Sequence, residues 1–66
     1  MNELKQNHHY LIDSIQTGYT ETQQGLQSIS VNRVTETAYQ ITIHQTGDRI
    51  WVLKEWKKNI IEDITL

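Results

Sequence analysis

The stretch TAYQITIHQTGDRIWVL, residues 37–53, constrains the fold more than any other part of the chain. Tyr39, Ile41 and Ile43 alternate with Gln40, Thr42 and His44, the two-residue period of a strand with one wet face. QTGDR offers a turn, with Thr46-Gly47 or Gly47-Asp48 at its centre, so RIWVL returns antiparallel. A two-residue turn places Ile41, Ile43, Ile50 and Val52 in one layer, whereas a three-residue turn exchanges the last two for Trp51 and Leu53. The two-residue reading is preferred because it unites four aliphatics. Trp51 and Leu53 then fall on the opposite face, beside Thr42 and His44.

The flanks are read by the same periodicities. Leu4, His8, Leu11, Ile12 and Ile15 form a stripe at 3.6-residue spacing, which predicts an N-terminal amphipathic helix. Asn2 suits its cap, Glu3 its positive end, and Gly18 a left-handed stop. Residues 19–27 are expected to be a loop or short strand, with Gly25 permitting a turn. ISVNRV alternates until Val34, which falls out of step and signals a bulge or strand end. KEWKKNIIEDITL suits a helical turn around 55–59 followed by a short strand. The sum is an α+β domain spanning 1–66: the helix packs on a small twisted antiparallel sheet of three to five strands, approaching a barrel of the SH3-like or OB type.

A chain of 66 residues with no cysteine must rest on apolar packing alone or on association with copies of itself or with a partner, because disulfides and thiolate metal sites are excluded. Its net charge of −2 argues against wholesale nucleic-acid binding while leaving room for a local basic patch. The opening residues lack the apolar run of a signal peptide and nothing reaches membrane-span length, so a cytoplasmic protein is expected. His8 and His9 are adjacent; on a helix they diverge by about 100° and make poor co-ligands. Ser14, His44 and Asp13 or Asp48 are hydrolase residue types without a nucleophile elbow or oxyanion loop around the serine. No catalytic residue, metal or cofactor is therefore expected.

RIWVLKEWKK, residues 49–58, concentrates two tryptophans among four basic residues. With so few large aromatics in the chain, Trp51 is expected to fill the core, while Trp56 suits core or surface equally. Arg49, Lys54, Lys57 and Lys58 are expected at the surface, as phosphate contacts or, for the lysines, as charges that guard a sheet edge. Interface hot spots favour Trp, Tyr and Arg, which adds Trp56, Tyr39 and Tyr19 to the partner-binding set.

Val34, Thr35 and Ala38, followed by Ile50, Trp51, Val52, Lys54 and Trp56, resemble a pattern in small phage and bacterial β-hairpin modules: Val-Thr-x-x-Ala, a turn, then Ile-Trp-[Ile/Val]-Pro-Lys-Ser. Leu53 and Glu55 stand where that pattern has proline and serine. The resemblance implies a β-rich fold and a mobile-element origin, and assigns no site. The small size and missing catalytic apparatus are similar to those of anti-CRISPR-type inhibitors. The expected function is a non-enzymatic binding protein that inhibits or modulates a larger host protein or nucleoprotein by occupying its surface. A single-stranded nucleic-acid-binding barrel and a homodimer sealed by the helix or a sheet edge are the alternatives.

Overall fold

The computed structural model describes residues 3–66. Five strands make one antiparallel sheet: β1 (His9–Gln16), β2 (Thr22–Val34), β3 (Ala38–Ile43), β4 (Arg49–Leu53) and β5 (Lys58–Asp63). Their order, β4-β3-β2-β1-β5, is a four-stranded meander whose first strand also pairs with the last. The protein is thus all-β, and the expected α+β architecture with an N-terminal helix is wrong.

The reason lies in β1. Tyr10 and Ile12 point inward at strand spacing, the register then shifts between Ile12 and Ser14 against both neighbours, and Ile15 resumes the inward row. An irregularity in a strand thereby produced a three-residue gap between Ile12 and Ile15, which imitates helical periodicity. The expected Asn2 cap lies outside the described residues. Gly18 ends no helix; its amide donates to the Glu21 carbonyl (3.3 Å) in the β1–β2 loop. Gly25 makes no hairpin turn either. It lies within β2 at the same register shift, at φ 106°, where a residue with a Cβ is strained.

The inward rows are Tyr10, Ile12 and Ile15, then Ile29 and Val31, then Tyr39, Ile41 and Ile43, then Val52, joined by Leu4 from the N-terminal segment; none is more than 4% exposed. A flat sheet with no helix over it would leave this face wet. Burial this complete requires the sheet to curl around its own apolar face, and the extents of 32 × 27 × 23 Å agree. The two core tyrosines need partners for their hydroxyls. Backbone N–H groups of the N-terminal segment supply them: Leu4 donates to Tyr39 (3.4 Å) and Lys5 to Tyr10 (2.8 Å). Asn7 turns that segment into β1 at φ 69°, a left-handed conformation that asparagine tolerates.

The β3–β4 hairpin resolves the tryptophan question. Ile43 pairs with Asp48 through Ile43 N–H to Asp48 O (2.8 Å), so four residues form the loop, rather than the expected two. Ile41 therefore meets Ile50, and Tyr39 meets Val52. Two and four are both even, so the layer of Ile41, Ile43, Ile50 and Val52 survives a change of register by whole pairs. Trp51 faces outward opposite Gln40 and is 49% exposed, which overturns its expected place in the core. Trp56 is the tryptophan that packs against the core, half-buried as Val34, Ile50 and Ile60 are.

Bulge and strand end coincide near Val34: the register shifts between Val31 and Arg33, and Val34 closes β2. Thr35 and Ala38 then seal a two-residue loop, with the Ala38 amide donating to Thr35 Oγ1 (3.0 Å). Among the described residues no helix is long and apolar enough to cross a membrane.

Candidate functional site

The β1–β2 loop and the β4–β5 turn meet at one end of the sheet, and Gln16 ties them together. Its amide donates to Lys57 O (2.8 Å), its Oε1 accepts from Lys57 N–H (3.2 Å), and its Nε2 donates to Gly18 O (2.9 Å). One side chain at the end of β1 therefore clamps both connections. This brings Tyr19 against Trp56, ring edge to ring face, with centroids 5.6 Å apart and an interplanar angle of 78°. The packing suits the aromatic quadrupoles. Trp56 is anchored from behind by the core and by its own N–H, which donates to Leu53 O (3.1 Å). Tyr19 is 85% exposed.

Beside this pair lies a cleft of about 600 Å³ lined by Ser14, Lys54, Glu55, Trp56, Lys57, Lys58 and Asn59. Three ammonium groups against one carboxylate make its lining basic. Lys58 is the structural member of the three. Its Nζ donates to the carbonyls of Lys54 (2.8 Å) and Trp56 (3.2 Å), satisfying oxygens that the tight turn leaves free. The Lys54 and Lys58 ammonium groups stand 5.4 and 5.6 Å from the centroid of the Tyr39 ring. The ring attracts both cations and so holds two like charges close together. Partial burial pulls the Lys58 pKa below the ordinary lysine value, because the charged form gives up water there.

The expected partner-binding residues divide accordingly. Tyr19, Lys54, Trp56, Lys57 and Lys58 come together at the cleft. Tyr39 does not offer its ring to a partner; it is 3% exposed and supports the two lysines from below. Arg49 stands apart. It opens β4 opposite Thr42, whereas Lys54 follows the other end of that strand, about 17 Å away at strand rise. Ser14 lines this cleft and His44 lines another.

Two features escape sequence reasoning. The pairing of Tyr19 with Trp56 joins residues far apart in sequence through a glutamine clamp that leaves no periodic trace. The other is a cluster of His9, Ser28, Ser30 and His44 on the outer face of β1–β3, where His9 pairs with Ser30 and the His44 amide donates to Ser28 O (3.1 Å). The outward position of His44 was visible in the alternation of β3; the position of His9 depended on recognising β1 as a strand. No protein-family model, curated protein or solved structure matches the chain.

Proposed function

We propose that this is a non-enzymatic binding protein that acts by occupying the surface of a larger protein, with the Tyr19–Trp56 pair and Lys54, Lys57 and Lys58 as its contact. The supporting observation is the aromatic pair itself, held edge to face beside a basic cleft. An exposed tyrosine backed by a core-anchored tryptophan gives contact area that loses little conformational entropy on binding. The lysines select a partner that presents carboxylates or phosphates, and they steer its approach.

The test uses Tyr19→Ala and Lys57→Glu, both at exposed positions, so that the fold is kept. Wild-type protein is used to capture a partner from an extract of its native cells, and the two variants are then compared with it on the purified partner. Each variant should weaken binding at least about tenfold, the loss that a hot-spot residue produces. Unchanged affinity in both folded variants refutes the contact surface.

A second reading is favoured by the exposed Tyr19 ring beside the lysines: single-stranded nucleic acid stacking on the tyrosine, with phosphates along the cleft. Its signature is quenching of Trp56 fluorescence by oligonucleotide at low salt, lost steeply as salt rises. Absence of quenching at low salt removes it.

A further inference from the structure

Four polar side chains converge on the outer face where β1, β2 and the end of β3 lie side by side. They point away from the buried layer because Tyr10, Ile29, Val31 and Ile43 alternate with them into the core. The His9 and His44 rings lie 5.8 Å apart, centroid to centroid, inclined at 52°. His9 Nδ1 is 2.7 Å from Ser30 Oγ, and His44 Nε2 is hydrogen-bonded to the same oxygen. On the far side of its ring, His44 Nδ1 is 2.8 Å from Ser28 Oγ.

We propose that His9 and His44 form a two-histidine site for a borderline divalent transition ion of the Zn²⁺, Ni²⁺ or Cu²⁺ kind, seated where Ser30 Oγ now bridges the two rings. Imidazole nitrogens bind such ions at about 2.0–2.1 Å, which sets two ligating nitrogens about 3.3 Å apart in a tetrahedral site. Two nitrogens that already contact one oxygen face a common position between the rings. Rotation of Ser30 about χ1 vacates the position between them, and both rings are exposed enough to close the remaining gap. Ser28 completes the arrangement. With an ion on Nε2, His44 carries its proton on Nδ1, and Ser28 Oγ at 2.8 Å is placed to accept it, as outer partners of metal-bound histidines do.

The ligand set also determines which ions are refused. Two neutral nitrogens with no carboxylate suit neither Mg²⁺ nor Ca²⁺, which require oxygen ligands. Among the described residues no group of three or more His, Cys, Asp or Glu could hold a metal. The remaining coordination positions therefore fall to water or to a partner's side chain. Beside the rings a cleft of about 400 Å³, lined by Asn7, His9, His44, Ile64, Thr65 and Leu66, gives room for either. His8 belongs elsewhere, with its Nδ1 2.7 Å from Asp63 Oδ2 and its ring stacked on Tyr10.

The experiment titrates the full chain, carrying no polyhistidine tag, with Zn²⁺ and with Ni²⁺. Calorimetry gives the stoichiometry and NMR follows the histidine ring resonances. One ion per chain is expected, with the His9 and His44 resonances moving together and those of His8 unmoved. His9→Ala and His44→Ala should each weaken binding at least about tenfold. Ser30→Ala and His8→Ala should keep it, and Mg²⁺ should leave the spectrum unchanged. The proposal is overturned if wild-type protein shows no saturable binding at millimolar ion. It also falls if the resonances of His8 move in place of those of His9 and His44, or if both single variants bind as wild type does.

Discussion

Truncating Val52 to alanine should destabilise the protein more than truncating its larger neighbour Trp51. Val52 is 1% exposed and sits across from Tyr39 in the inner layer. Removing two methyl-sized groups there forfeits about 1.6 kcal/mol of transfer free energy, at about 0.8 kcal/mol per group. The cavity left behind brings the cost to about 2–3 kcal/mol. Trp51 faces outward over Gln40, so alanine there loses a cross-strand contact worth under about 1 kcal/mol. A chain of 66 residues has a total stability of about 3–10 kcal/mol. In a domain of this size each kcal/mol shifts Tm by about 4–8 °C. Val52→Ala should therefore melt roughly 10–20 °C below wild type, and Trp51→Ala less than about 8 °C below it. Thermal melts by circular dichroism, checked by urea unfolding at constant m, decide the matter. If Trp51→Ala proves the more damaging, the even loop count and the face assignment derived from it are wrong. Deleting Gln45 should go further, because an odd loop turns Trp51 and Leu53 inward and drives Val52 into water.

Asp63 predicts how the protein responds to acid. Hydrogen bonds from the Thr65 hydroxyl, from His8 and from the Thr65 amide hold its carboxyl down at about 2. A folded pKa below the unfolded value stabilises the protein fully above about pH 4, and that stabilisation disappears as pH falls through about 2. Thr65→Val should flatten that acid limb, which equilibrium unfolding at stepped pH would show; an unaltered limb contradicts the pairing. Lys58 acts with the same sign of slope at the alkaline end. Its folded pKa lies below 10.5, so the unfolded chain binds more protons and stability rises with pH up to that value. Lys58→Met should abolish the rise, and a retained rise would place its origin elsewhere. Gln27 Nε2 is buried with no hydrogen-bond partner among the described residues. Gln27→Met should therefore be neutral or stabilising by about 1 kcal/mol in urea unfolding, and a clear loss would reveal a bond that Gln27 makes.

The candidate site was partly legible. The segment 49–58 announced its tryptophans and lysines, and four of its five expected contact residues do share or flank one cleft. Arg49 left the group because strand length separates the ends of β4, a distance that composition does not carry. Tyr39 went inward because it alternates with Gln40 in the same row as Ile41, a position the strand reading had already given it. Tyr19 met Trp56 only through Gln16, whose three hydrogen bonds bridge connections on opposite sides of β1.

Local alternation by itself determined the β3–β4 hairpin and its aliphatic layer, because a period of two leaves only one face to bury. It also determined the irregularity before Val34. The tertiary structure decided everything that depends on how neighbouring strands register. An irregularity at Asp13 turned an apparent helical stripe into β1, and the curl of the sheet over one face alone left Trp51 in water while Trp56 packs against the core. Register is set by pairing partners, and side-chain spacing along one segment reads the same whether a helix turn or a bulged strand produced it.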